Sequence, residues 1–522
     1  MSDKFSGARP ALDGSPLPQW TGAEDLVATP RPSRTMDRTM DRALMHGLAW
    51  TAGARWASQI LSWGVTLVVA KVLDPADYGV VGMSVLVLSL VSLINEFGVT
   101  TAVVTLRDLT EEDLRRLNAF AVLFGVVCFV GGAALAIPLG VYFRTPAVPM
   151  IVLVQSTGFV LSSFQSVPSA WLQRELRFKQ LAAIDVLRSF VASIAALALA
   201  LSGARYWTLV VAELVAAGTA TAMFVRLRPT GFLWRDFNKV RRAIVFGGRT
   251  VVDRVSWYAY SNADFAVAGR LLGPAALGAY SFAWTLMGLP VEKVTSLLGR
   301  VTPSFLSANR DDRAALRRYV LGITEGLALI TLPATAGIGL IARDVIPLVF
   351  GSKWQMAIVP LQVLAACMAL RSIVPVIVNA LTALQDVRFI MWRGVACALC
   401  FPICFFAGAR IAGINGIAIV WLIAYPLSVV PLFWRALRLR VFDVRGYVRA
   451  LSPAFVCTAA MSMIVLVVRL TMLSSGAPLS VAVRCSIEVV AGIASYGLVL
   501  MFGYRARMQA TIAFIRPRPH AT

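Results

Sequence analysis

The sequence predicts an all-α polytopic membrane protein. It is expected to have about fourteen transmembrane helices, arranged as two parallel-repeat six-helix lobes plus two C-terminal helices. Three observations predict it: apolar segments of spanning length, Lys and Arg gathered on alternate loops, and one passage that occurs twice. Hydrophobic residues make up 58% of the 522, charged residues only 15%, and mean hydropathy is +0.74. That balance lies far from a soluble domain's.

A spanning helix needs about 20 mainly apolar residues. Candidates centre near residues 58, 92, 128, 161, 192, 216, 260, 287, 330, 370, 399, 424, 461 and 492. Before the first lies a polar tail, residues 1–42, with the small duplication TMDRTMDR and no signal-peptide core. The expected organisation is an N-lobe over 43–226, a basic linker over 227–246, a C-lobe over 247–438, a helix pair over 451–503 and a tail over 504–522.

The net charge of +22 raises the question of nucleic acid. With the amino terminus inside, most of the 49 Lys and Arg fall in loops on that side. The opposite loops hold only Lys71, Arg144, Arg205, Arg270, Arg343, Lys353, Arg410, Arg469 and Arg484. Short loops with this asymmetry follow the positive-inside rule, which places both termini in the cytoplasm. The basicity is therefore topological, and a nucleic-acid partner is not expected. Cys397, Cys400 and Cys404 have helical spacing, but the chain has only two histidines and no carboxylate among these cysteines. They read as packing residues, and neither metal nor cofactor is expected.

The repeated passage is KVLDPADYGV at 71–80 and RLLGPAALGAY at 270–280. One offset of 199 positions aligns Leu73 with Leu272, Pro75 with Pro274, Ala76 with Ala275 and Gly79 with Gly278, as well as Arg55 with Arg254. An even number of spans separates the copies, so both enter the membrane in the same sense and the repeat is parallel. Two weaker echoes follow the fourth and fifth spans of each half. Leu172-Gln173 with Arg177-Phe178 resembles Leu384-Gln385 with Arg388-Phe389, and Gly203-Ala204-Arg205 resembles Gly408-Ala409-Arg410. A repeat-built membrane protein suggests a transporter whose path lies between its halves.

Charges inside the membrane cost roughly 2.5–3.5 kcal/mol near its centre, so each needs water or a partner. Arg55 and Gln59 share a polar stripe in the first span, and Arg254 shares the seventh with Tyr258 and Ser261. Arg371 in the tenth span has Asn379 on nearly the same face. These seven residues are the candidate cavity lining. Arg55 and Arg254 at the membrane boundary, snorkelling to lipid phosphates, are the bland alternative. Asp185 and Arg188, three apart, are placed to pair locally. Glu96 and Asp264 lead the carboxylates able to couple transport to H+ or Na+ by taking up and releasing charge. Pro290, Pro333 and Pro375 are candidate flex points.

WLQRELRFKQLA (171–182), LLGPAALGAYSFAWTLMGLP (271–290), RVTPSFLS (300–307) and FGSKWQMAIVPLQVLA (350–365) resemble loops of the Wzx-type oligosaccharide flippases. These form the polysaccharide transporter family of the multidrug/oligosaccharidyl-lipid/polysaccharide exporter superfamily. The resemblance runs from about residue 43 to 440. It implies a bacterial inner-membrane protein, not an enzyme, that flips polyprenyl-pyrophosphate-linked oligosaccharide for exopolysaccharide, capsule or lipopolysaccharide biosynthesis. Glycan polymerase machinery is an implied partner. A multidrug or cation antiporter and a lipid II flippase of the same superfamily are the alternatives.

Overall fold

The computed structural model describes residues 58–105, 109–236, 258, 261–299, 306, 312–474 and 480–505. All regular structure among these is helical: α1 (Ser58–Val72), α2 (Pro75–Thr105), α3 (Glu111–Phe143), α4 (Val148–Arg174), α5 (Phe178–Leu201), α6 (Trp207–Leu227), α7 (Ala263–Gly299), α8 (Arg313–Val345), α9 (Ile358–Ala383), α10 (Val387–Arg438), α11 (Val444–Ser474) and α12 (Val481–Gly503). Two short turns, Ile346–Phe350 and Ser352–Ala357, join α8 to α9.

Among the described residues, ten helices are long and apolar enough to cross a membrane. The expected fourteen includes segments that the fold joins into one long helix and segments only partly among the described residues. The first expected span is described only from Ser58, as α1. Helix α10 runs 52 residues, which as a straight helix would be about 78 Å, against a hydrocarbon core of about 30 Å. It breaks at Ala412 and Gly413, where φ at Gly413 is 59°. Its two arms then fold into a hairpin in which Gly408 and Gly416 pack backbone to backbone. Helix α7 breaks likewise at Gly273, with φ 83° and ψ −177°. The breaks thus fall at glycines, while Pro290, Pro333 and Pro375 lie inside continuous helices.

Local chemistry sets the helix ends. Thr110 and Asp113 form a reciprocal capping box at the start of α3. Asp312 accepts from the backbone of Ala314 and Ala315 at the start of α8. Helices α3, α4, α5, α9 and α10 end in tight turns closed by bonds such as Arg177 N to Leu172 O and Asp386 N to Leu381 O. The left-handed residues there are Arg144, Leu176, Gly203, Gln385 and Arg440. The Leu-Gln echo lies beside two turns of the same kind, but in different registers: Leu172-Gln173 are in the last turn of α4, whereas Leu384 caps α9 and Gln385 is the left-handed residue. The Gly-Ala-Arg echo marks no such pair: Gly203 sits in a turn, whereas Gly408 lies within α10, where it is needed for the hairpin contact.

The strong repeat has a direct structural counterpart. Pro75 opens α2, and Gly273 breaks α7 so that Pro274 opens its second arm. The two helices then cross, each glycine against the other copy's proline. A Cβ on Gly79 would overlap the Pro274 carbonyl and lie 2.9 Å from Pro274 Cα. One on Gly278 would overlap the Pro75 carbonyl and lie 3.0 Å from Gly79 N. Each copy presents the same surface to the other, as in a self-complementary contact.

Trp354 completes this end of the bundle. It is fully buried, donates from Nε1 to Ala70 O at 2.9 Å and packs on Tyr78 and Phe282. Lys353 Nζ bonds Val72 O at 3.0 Å, and Arg270 bonds Tyr142 O at 2.6 Å. One core, including Val80, Met83, Leu277 and Ala283, spans both halves here. Toward the other end the described cores separate. Val103, Leu117 and Val167 belong to the first half, and Val320, Ile377 and Leu432 to the second. Trp354→Ala is expected to cost about 3–5 kcal/mol through the cavity it leaves. A thermal scan of the purified protein that matched wild type would contradict this closure.

Candidate functional site

A buried polar network among the described residues is built from α7, α9 and α10. Asp264, near the start of α7, has no exposed surface. Its Oδ2 accepts from Tyr280 Oη at 2.7 Å and from Trp421 Nε1 at 2.8 Å, and its Oδ1 accepts from the Phe265 amide at 3.0 Å. The break at Gly273 makes this possible, because it folds the arm carrying Tyr280 back beside the arm carrying Asp264. A buried carboxylate is tolerated when its lone pairs are matched in this way.

Arg371 lies near the middle of α9. Its guanidinium stands 4.8 Å from the Trp284 ring centre, 4.7 Å from Trp421 and 5.6 Å from Tyr425. Helical spacing brings each pair of rings onto one face: Tyr280 with Trp284 on α7, and Trp421 with Tyr425 on α10. Cys367, one turn before Arg371, contacts Trp421 O at 3.5 Å. Behind Trp421 lie Phe401 and Phe405 of the first arm of α10, with ring centres 5.4 and 5.2 Å away. Trp421 therefore touches both charges, its ring face meeting Arg371 and its indole N–H meeting Asp264. Arginine's ring-face contacts attract more strongly where water is scarce. Its Nη1 is buried and has no hydrogen-bond partner among the described residues. A cation held in an aromatic cage with its Nη1 unmatched can donate to an anionic oxygen.

Of the expected lining, the structure brings Arg371 into one network with Asp264. Ser261 is buried one turn before Asp264, and Asn379 is half-buried two turns beyond Arg371. Tyr258 donates to Leu86 O of α2 at 2.9 Å, tying the approach to α7 to the first half. Gln59 is half-buried on α1. Arg55, Arg254 and the Glu96 side chain lie outside the described residues. Arg188, placed by the sequence to pair locally with Asp185, also forms an ion pair with Glu213 of α6. Sequence reasoning missed Tyr280, Trp284, Trp421 and Tyr425. Their four-residue spacing was visible but is shared by ordinary core aromatics.

Fold and site together define a polytopic helical membrane protein of transporter architecture. Residues 68–359, more than half of the chain, match the family described as polysaccharide biosynthesis protein. The chain belongs to that family, in agreement with its Wzx-type motifs. Over 397 residues it is 23% identical to the lipopolysaccharide biosynthesis protein WzxC of Escherichia coli (strain K12), covering 73% of this chain and 79% of that one. Over 426 residues it is 24% identical to the teichuronic acid biosynthesis protein TuaB of Bacillus subtilis (strain 168), covering 79% and 86%. The fold is similar to that of the lipid II flippase MurJ in an inward closed conformation, with TM-score 0.70 and 12% identity over 88% of this chain and all of that one.

Proposed function

We propose that this protein flips polyprenyl-pyrophosphate-linked oligosaccharide repeat units across the bacterial inner membrane, by alternating access between two six-helix lobes. Exopolysaccharide, capsule or lipopolysaccharide biosynthesis is the process served. The single observation that carries the reading is Arg371, a caged cation near the middle of its helix with an unmatched donor. A pyrophosphate supplies the anionic oxygens that such a donor takes, while the lipid tail stays in the bilayer.

The charge pattern puts the Pro75 end outside and both termini in the cytoplasm. On that topology the shared core closes the periplasmic side, and the separated cores lie toward the cytoplasm. This arrangement suits the state that loads substrate from inside. Arg55 and Arg254 are further cavity cations in this reading, one from each lobe. Asp264 holds Trp421 and through it Arg371. A coupling role for Asp264 requires the Tyr280 and Trp421 bonds to open when the ion arrives.

Deleting the gene should leave lipid-linked repeat units facing the cytoplasm, measured by mass spectrometry of extracted lipids. Unchanged glycan export with altered dye efflux would refute the proposal in favour of a multidrug exporter. Accumulated peptidoglycan precursor would point to lipid II instead.

A further inference from the structure

The Arg371 cage does not account for a second polar concentration, in the first half of the chain. Helices α2, α4, α5 and α6 line an open cavity of about 310 Å³. Its polar lining includes Ser89, Gln155, Ser162 and Gln165, together with the Arg188–Glu213 ion pair. Arg188 lies near the middle of α5, and its side chain and that of Glu213 are 44% and 61% exposed. Charges so exposed within spanning helices are costly against lipid tails, which points to water on this side of the helices.

The chemistry of the lining narrows the ligand. The ion pair cancels its own charge, so the cavity offers no net positive charge to an anion. Its one carboxylate is engaged by Arg188, which leaves no free anionic ligand for a metal cation. What remains are hydroxyls and carboxamides, which both donate and accept. Ser84 Oγ lies 2.6 Å from the Gln155 carboxamide, which ties that side chain to α2. Leu88 and Phe159 supply apolar walls. A neutral sugar ring has the matching surface, with hydroxyls at its edge that donate and accept and C–H groups on its faces. The volume lies at the small end of the roughly 300–1,000 Å³ found for small-molecule sites. It therefore suits one saccharide residue better than a whole repeat unit.

We propose that this cavity is a saccharide subsite, holding the hydroxyls of the glycan while Arg371 takes the pyrophosphate. The inference rests on the reading of the chain as a flippase of lipid-linked glycan. It divides recognition between the halves: sugar in the first, anion in the second.

Full-length protein in lipid nanodiscs would be titrated with two probes: lipid-linked oligosaccharide extracted from the deletion strain, and synthetic polyprenyl pyrophosphate without sugar. The double variant Gln155→Leu, Gln165→Leu should weaken binding of the first at least about tenfold, the scale of one or two lost hydrogen bonds. Its binding of the bare pyrophosphate should stay within about twofold of wild type. Ser162→Ala removes a single hydroxyl with little disturbance to packing and should shift the first probe in the same direction by a smaller factor. Equal loss of both probes, or no loss of either, overturns the subsite while leaving the flippase reading standing. Wild-type protein that binds neither probe overturns both.

Discussion

Gly278→Val is expected to abolish accumulation of the folded protein, and Gly278→Ala to destabilise it severely. A side chain at this position meets the Pro75 carbonyl and the Gly79 amide rather than the movable tip of another side chain. Backbone can yield only if α2 and α7 move apart, and that separation would also loosen the shared core around Met83 and Leu277. Overpacking a core commonly costs about 1–3 kcal/mol, and a rigid backbone neighbour puts this site at or above the top of that range. Gly79→Ala should do the same through the Pro274 carbonyl. Because both substitutions pry open one crossing, the double variant should lose less than the two single losses combined. Thermal unfolding in detergent measures all three. Single alanine variants with wild-type midpoints would show that the copies do not bear on each other as described.

The second large effect is expected at the Asp264–Arg371 network. Asp264→Ala strips acceptors from Tyr280 and Trp421 and leaves the Arg371 cation without its nearby countercharge. Removing one member of a buried charged set costs about 3–5 kcal/mol, since the other charge stays behind uncompensated. Asp264→Ala combined with Arg371→Ala should recover part of that stability, yet glycan export should remain lost. Arg371→Ala alone should abolish export at a smaller cost in stability than Asp264→Ala, because the Asp264 carboxylate keeps its Tyr280, Trp421 and Phe265 donors. Arg371→Lys should restore little, because an ammonium lacks the planar face and the fork of donors. Membrane levels read beside exported glycan separate the two effects. Normal export by Arg371→Ala would end the anion-binding role of the cage.

Much of this was legible from residue types and spacing. Arg371 and Asp264 stood out singly, because each is a charge in an apolar segment and such charges need a reason. What remained hidden was that they share Trp421. Nothing in one helix's spacing reveals which ring face another helix will present, and aromatic pairs four apart serve equally well as plain core. Arg188 shows the same limit. Asp185 is its neighbour along α5, but the fold also offers it Glu213 of the next helix. The weak Gly-Ala-Arg echo misled because identical triplets occupy a turn at Gly203 and a helix interior at Gly408.

By itself the sequence determined the class: long apolar segments demand internally bonded helices, and alternating basic loops orient them. It also determined that one passage recurs at Pro75 and Pro274. Only the tertiary structure decided that the two copies lie against each other, Gly79 on Pro274 and Gly278 on Pro75. The reason is physical: sequence identity records what each surface is, whereas contact depends on how two helices cross. That crossing is set by breaks such as Gly273 and by the packing of every neighbouring helix.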